Sequence, residues 1–576
     1  MKTKKREAQK TRTAVAAPPR TGLAWWQYAI AGIVFLYAGF QAYGPALNGP
    51  FLFDDTYLPM NMPGQADRPL LDWVKGVRPL LMFTYWLNYQ SSGTDTTGYH
   101  LWNVLIHVLN SGLVFALIRR LLSLAGRERN NLLALFAAGL FLLHPVQTEG
   151  VAYIAGRSDS LATLFFLGAF ALFLYRRSAA IGWGTTAGVI LLSGAALASK
   201  ENTVVLPALL LLTDYFFNPG FSLEGIKRNW RLYAPLVAAG ALGAAFVLKR
   251  IGVADSAGFS LTDFKWYEYL FTQFRAIFVY LRLFLIPSGL TIDYDFPISH
   301  SPTEHGSIFG LIALLALLAA AIVLRKRYPL ASFGLLSLLL LLAPTSSILP
   351  IRDPVAERRL YLPIIGLLLI AVEFLRRVRI DSHAAVASLG AVLLGSGALT
   401  YQRAKAWSSA EALWGDAVAK SPGKSRAHFQ LAFAYFAQRR CNEAVQEYAI
   451  VAKLDKPDAP LLINWAHAYD CLGDLQQALA KLEQAAAIEP SAHVYSQIGM
   501  IHGKSGRGAE AWQALDKAKA LDPNFDMTYV YRGHMYQANQ DYASATREYK
   551  RALELNPKNQ VAQQSLEQAA EHMRPR

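Results

Sequence analysis

The sequence predicts an all-α protein in two parts, a multi-spanning helical membrane domain followed by a helical-repeat solenoid. Three observations predict it. The 576 residues are 53% hydrophobic and only 17% charged, where a soluble domain averages about 25% charged. The deficit is uneven: from Arg20 to Thr400 the chain is a series of apolar runs, and after Arg403 it turns polar and alanine-rich, which puts the main boundary near Tyr401. Beyond that boundary small residues recur at Ala410, Ala444, Ala478, Ala511 and Ala545, spaced 34, 34, 33 and 34, a fixed period that marks a repeat array.

A spanning helix needs about 20 mostly apolar residues. Candidates are Trp26–Tyr43, Tyr99–Ile118, Asn131–Leu143, Leu161–Tyr175, Ile181–Ala198, Thr203–Phe217, Leu232–Leu248, Ser307–Leu324, Leu330–Leu342, Leu360–Leu375 and Ala384–Leu399, about eleven in all. A further run, Trp266–Ile286, mixes Gln273, Arg275, Tyr280 and Arg282 with apolar residues, and is read as interfacial or re-entrant.

Orientation follows from the positive loops. The basic tail, 1–22, has no clear small-residue cleavage site after it, so it is expected to stay as a cytoplasmic tail before a retained helix. Arg119, Arg120, Arg127 and Arg129, then Arg176–Arg177, Lys227–Arg228, Arg325–Lys326–Arg327 and Arg376, Arg377 and Arg379 fall on the same side, provided that Lys249–His300 stays outside as one loop. The membrane domain is then 23–400, and its last helix delivers the repeats to the non-cytoplasmic side. This topology also accounts for the net charge of +15 without nucleic acid, since no long basic face interleaved with aromatics is present.

Prolines close the repeats at Pro422, Pro490, Pro523 and Pro557, where they stop a helix. Between them lie Trp465-Ala466 with Tyr469, Ile498-Gly499 with His502, and Arg532-Gly533 with Tyr536. The pattern resembles the tetratricopeptide repeat (TPR), with two helices per unit. A half repeat, Arg403–Pro422, and four full repeats occupy 401–557, and 558–576 reads as a capping helix and tail. Such a groove usually binds a polypeptide; a scaffold or dimer contact is the plainer alternative. Cys441 and Cys471 have no metal-type spacing. In an oxidising compartment they could pair, but spacing alone does not show whether geometry allows it.

Polar residues gather at the outer helix ends: Asp54-Asp55 and Arg78 in the first loop, His144 through Glu149 and then Arg157 and Asp159, Lys200-Glu201, Asp293-Tyr294-Asp295, and Arg352-Asp353 with Glu357, Arg358 and Tyr361. Charges beside spans are costly unless paired or solvated, and any one of them could be a harmless loop charge. Together, carboxylates after the first helix and cations in at least four outer loops suit a base near a lipid-phosphate leaving group. A carboxylate can accept the proton of an attacking hydroxyl, and arginine forks hold phosphate oxygens.

The stretch from Arg78-Pro79-Leu80 through Phe83–Tyr89, then Gly98–Val104 with His107, resembles the transmembrane-and-TPR O-mannosyltransferases. So do His144-Pro145 with Thr148-Glu149, Gly156-Arg157, Lys200-Glu201, Glu357-Arg358 with Leu360–Pro363, and the acidic pair Asp54-Asp55. The ordered set is specific where each motif alone is weak. The resemblance implies a GT-C-like membrane domain and transfer of a mannose-like sugar from a polyprenyl-phosphate donor to a protein hydroxyl. It implies that Asp54 or Asp55 is the catalytic carboxylate, with Asp55 taken as base and Asp54 as its orienting partner. Arg358, Arg157, Lys200 and Arg78 would bind the donor phosphate, supported by His144, Glu149, Asp159, Glu201, Glu357 and Tyr361. No cofactor is certain; two adjacent aspartates leave room for a divalent metal, and no metal ligand is assigned. The chain departs from the family in carrying Ser158-Asp159 after Gly-Arg, where Ala-Glu is frequent. Its few repeats suggest a prokaryotic member, in a bacterial inner membrane with periplasmic repeats. Two other readings stand beside this one. A transporter or flippase with a docking domain calls for mid-membrane charges and broken helices. A non-catalytic scaffold for envelope or pilus assembly predicts that Asp54, Arg157 and Arg358 all tolerate alanine.

Overall fold

The computed structural model describes residues 24–62, 64–126, 131–176, 178–238, 240, 258–259, 261–379 and 382–573. The basic tail, Arg127, Arg129, Arg177 and the second half of the expected span Leu232–Leu248 lie outside them. Every regular element described is a helix. In the first part the longer ones are α1 (Trp25–Tyr43), α2 (Pro79–Ser92), α3 (Thr96–Leu124), α4 (Asn131–Leu143), α5 (Arg157–Leu174), α6 (Trp183–Leu197), α7 (Leu206–Phe217), α8 (Trp266–Leu285), α9 (Ser307–Val323), α10 (Pro329–Leu342), α11 (Ile364–Leu375) and α12 (Ser382–Lys405). Among the described residues five helices are long and apolar enough to cross a membrane, and α4 with the following Pro145–Ala152 makes a sixth, bent by 49°. The shorter apolar helices α6, α10 and α11 lie beside them.

Local chemistry sets several helix ends. Pro79 and Pro329 open α2 and α10, where a missing N–H costs nothing. Asp95 caps α3 by accepting the Thr97 N–H at 3.0 Å. Along α3, His100, Asn103, His107 and Asn110 recur at three- and four-residue steps and are all buried. That spacing puts them on one face, and buried polar groups must find partners. Asn103 donates to the Tyr153 carbonyl at 3.0 Å, and Asn110 to that of Ser160 at 2.8 Å. His107 Nδ1 meets the Tyr361 hydroxyl at 2.6 Å. The stripe therefore fastens the segment between α4 and α5 to α3.

The second part begins as α12 runs past Thr400 into α13 (Ala410–Lys420). The pairs α14 (Ser425–Ala437) and α15 (Cys441–Leu454), α16 (Ala459–Cys471) and α17 (Leu475–Ile488), α18 (Ala492–Lys504) and α19 (Gly508–Leu521), and α20 (Asp526–Ala538) and α21 (Tyr542–Leu555) follow, closed by α22 (Gln560–Met573). Ala444, Ala478, Ala511 and Ala545 are fully buried, because the paired helices approach closely there. At Gly533 a Cβ would stand 2.3 Å from Tyr549 Cε1, so α20 can lie against α21 only with glycine.

Cys441, at the start of α15, is disulfide-bonded to Cys471, at the end of α16. The bond closes a 30-residue separation, for which chain entropy gives about 3.5 kcal/mol of stabilisation. Thermal unfolding of the full-length protein is expected to fall on adding reductant, and Cys441→Ser should reproduce the fall. Equal melting with and without reductant would show that the bond contributes nothing.

Candidate active site

The loop after α1 turns sharply at Asp54-Asp55, in a short 3-10 helix, Phe53–Tyr57. The two aspartates have opposite environments. Asp55 is buried, its Oδ2 accepting the Leu52 N–H at 3.0 Å and its Oδ1 the Ala155 N–H at 2.7 Å. Burial pushes its carboxyl up to about 8, against the pull of those N–H groups. Asp54 is exposed, and its backbone N–H donates to the Tyr153 hydroxyl at 2.8 Å. Asp55 therefore pins the turn to the segment before α5, and Asp54 presents its carboxylate. The expectation of Asp55 as base and Asp54 as its orienting partner meets an Asp55 whose two oxygens both accept backbone N–H groups, while Asp54 is exposed.

Three cations from three loops lie within one another's electrostatic reach, each held by one carboxylate. Arg78 forks onto Glu201 at 2.9 and 2.6 Å, and Lys200 meets Asp159 at 2.6 Å. Arg358 bonds Glu149 through Nη1 and, at 2.8 Å, through its backbone N–H. The groups share one field: Lys200 feels both Arg78 and Arg358, Arg358 feels Asp159 and Tyr153, and Tyr153 feels Asp54. Burial lowers the Lys200 ammonium, and Asp159 works against that. Partial burial works the other way on Glu201, whose side chain is still about half exposed, but the Arg78 fork holds it down to about 2. A second oxygen of Asp159 is buried with no hydrogen-bond partner.

The other expected residues are engaged by protein partners of their own. Arg157 is buried, and its donors are used by the protein: Nε on Asn103 Oδ1 at 2.8 Å, Nη1 on Asn88 Oδ1 at 2.6 Å and Nη2 on the Tyr99 carbonyl at 2.9 Å. Its guanidinium also lies 4.6 Å from the Tyr85 ring centre. The expectation that Arg157 contacts a donor phosphate meets a guanidinium that bridges α2, α3 and α5. His144 stacks on Phe284 and bonds its carbonyl at 3.0 Å, and Tyr361 is held among His107 and Asn110. Both are core supports. Glu357 is buried, accepts the Tyr294 hydroxyl at 3.0 Å and stands 3.7 Å from Arg403. Burial pushes its carboxyl up to about 7, with Arg403 opposing. Tyr153 was not singled out from sequence; its place between Glu149 and Arg157 was the available signal. Among the described residues no group of three or more His, Cys, Asp and Glu side chains could hold a metal ion.

An apolar groove of about 600 Å³ opens between α2 and α6, lined by Pro79, Leu80, Phe83, Leu191, Gly194 and Ala198 among others. Its walls are tied together by the Leu80 N–H on the Ala198 carbonyl at 3.1 Å. Arg78 immediately precedes one wall, and Lys200 and Glu201 follow the other, so the groove ends at the cation cluster.

Comparison with known proteins gives the same direction. The chain is 26% identical over 447 residues to a protein O-mannosyl-transferase of Caenorhabditis elegans, covering 72% of this chain and 61% of that protein. It is 26% identical over 511 residues to protein O-mannosyl-transferase TMTC1 of Homo sapiens, covering 75% and 56%. It is 24% identical over 537 residues to protein O-mannosyl-transferase TMTC3 of Mus musculus, covering 84% and 58%. The chain is a relative of the protein O-mannosyl-transferases. It spans about six tenths of the length of these relatives. They are animal proteins, which lends nothing to the expectation of a prokaryotic source. The tetratricopeptide-repeat family model matches residues 527–559. The crystal structure of MamA is similar at 19% identity and a TM-score of 0.23, covering 31% of this chain and 98% of that one. The relatives and the apolar helices make this chain an integral membrane protein.

Proposed function

We propose that the protein transfers a mannose-like sugar from a polyprenyl-phosphate donor to a hydroxyl of a protein on the non-cytoplasmic side of the membrane. The observation that carries this is an apolar groove whose two walls lead in sequence to Arg78 and Lys200, which lie in the field of Arg358, with Arg358 and the exposed Asp54 both acting on Tyr153. A long isoprenoid tail suits the groove between α2 and α6, and its phosphate suits Arg78, Lys200 and Arg358. The Asp54 carboxylate takes the proton from the acceptor oxygen as that oxygen attacks the anomeric carbon. The bond from that carbon to the phosphate oxygen breaks, and the cations hold the charge that builds on the leaving phosphate. Asp55, Glu149, Asp159 and Glu201 hold these groups in place. The repeat solenoid presents the acceptor polypeptide, and the Cys441–Cys471 bond fits an oxidising, extracytoplasmic compartment.

Purified full-length protein, radiolabelled polyprenyl-phosphate mannose and an extract of envelope or secretory proteins would test this. Label moving to a protein band, and lost with Asp54→Asn, is expected. No transfer from mannose or any other sugar on that carrier would overturn it. The groove makes its own prediction. At Gly194 an added side chain meets open space, so Gly194→Phe should fill the groove and raise KM for a long-chain donor about tenfold, the equivalent of some 1.4 kcal/mol of lost contact. KM for a short-chain donor should not change; an equal rise for both would place the tail elsewhere.

A further inference from the structure

Phe53, next to the exposed Asp54, has φ +51°, in the left-handed region where a bulky residue is an outlier. Such a conformation persists only where the surroundings over-determine it. Here they come from the repeat domain. Trp414 of α13 meets the Phe53 ring edge-on, with centroids 5.7 Å apart, and the Arg426 guanidinium of α14 lies 5.3 Å from the same ring centre. Tyr153, which receives the Asp54 N–H, stacks on Trp407 at 5.4 Å.

Arg426 is held as firmly as it holds. Its Nε and Nη2 fork onto Asp293 at 2.8 and 2.7 Å, and Nη2 also reaches Asp353 at 2.8 Å. Asp293 lies between α8 and α9, and Asp353 lies in the loop that carries Arg358. The docking around it is close. Lys420 Nζ donates to the Leu290 carbonyl at 2.7 Å, the Asp295 N–H donates to Ser421 Oγ at 3.2 Å, and a Cβ at Gly423 would stand 2.5 Å from Asp295 Oδ2.

We propose that Arg426, in the first full repeat, is a positioning residue of the transfer site: by joining Phe53, Asp293 and Asp353 it sets Asp54 and Arg358 in register. The proposal rests on the reading of Asp54 and Arg358 given above. It makes the root of the solenoid part of the catalytic architecture, while the later repeats remain free to hold an acceptor. A planar fork reaching two carboxylates and a ring face is a task that lysine fulfils only in part.

Arg426→Gln and Arg426→Lys in the full-length protein test it, read by amide hydrogen exchange, by kcat and donor KM, and by thermal unfolding. In Arg426→Gln the amides of residues 51–58 should exchange about tenfold faster through local opening. Displacement of a catalytic group by about 1 Å costs on the order of a hundredfold, so kcat should fall tenfold to a hundredfold with donor KM within about twofold. Arg426→Lys should recover part of both. A role confined to folding would instead raise exchange across the repeats and leave kcat per folded molecule intact. Unchanged exchange at 51–58 together with unchanged kcat would overturn the proposal. A wild-type protein that transfers no sugar would sink the functional reading instead, and the exchange result alone would then decide the clamp.

Discussion

Asp54→Asn is expected to fold, insert and melt like the wild-type protein while losing transfer by about 10²–10⁴-fold, the usual contribution of a general base. Its carboxylate is exposed, and the Tyr153 hydroxyl that accepts its backbone N–H also meets its side chain; an amide of the same size keeps both contacts and leaves the turn in place. Donor KM should hardly move, because Arg78, Lys200 and Arg358 keep their carboxylate partners. Asp55→Asn should behave differently. One of its two acceptor oxygens becomes an NH₂ facing the N–H of Leu52 or Ala155, and a buried donor left without a partner costs about 1–3 kcal/mol. That variant should lose stability first and activity as a consequence.

The two variants also differ with pH. Burial raises the Asp55 carboxyl from its ordinary 3.8 to about 8. Between those values the native state holds a proton that the unfolded chain has released, so this group makes stability fall as pH rises. The wild-type protein should therefore lose ground against Asp55→Asn from about pH 4 to about pH 8. An inactive but fully stable Asp55→Asn beside an active Asp54→Asn would restore the roles in the order that the sequence suggested.

Much of the architecture was legible because it rests on periodicity. Alanines returning every 33 or 34 residues force paired helices together, and Ala444, Ala478, Ala511 and Ala545 are buried in the solenoid. The cations of the proposed site were legible as loop charges, since Arg78, Lys200 and Arg358 cannot face hydrocarbon cheaply. The burial of Asp55 and exposure of Asp54 were not, because they depend on the left-handed turn at Phe53, and no local signal places phenylalanine there. Nor was the clamp: Arg426 lies 133 residues from Asp293 and 73 from Asp353. The surroundings of Arg157 were hidden for the same reason: the partners that use its donors, Asn103, Asn88 and Tyr99, are 54, 69 and 58 residues away.

Arg157→Leu turns that difference into a measurement. Losing the guanidinium strands three acceptors, the side chains of Asn103 and Asn88 and the carbonyl of Tyr99, in a place that water does not reach. Breaking such a buried network costs about 3–5 kcal/mol, enough to remove much of a protein's stability. The variant should accumulate poorly and unfold at lower temperature, and the fraction that folds should keep the wild-type donor KM. Arg78→Gln supplies the contrast. Its partner Glu201 is 48% exposed, so stability should hold, since an exposed pair is worth about 0–1 kcal/mol. Losing a charge-assisted bond of about 1.5–3 kcal/mol to phosphate should raise donor KM tenfold to a hundredfold. Were Arg157→Leu to melt normally and weaken donor binding like Arg78→Gln, its guanidinium would belong to the phosphate after all. If it unfolds while Arg78→Gln only binds poorly, the donor is held by cations at the ends of the groove, and Arg157 serves them by holding α2, α3 and α5 at the distances that bring those ends together.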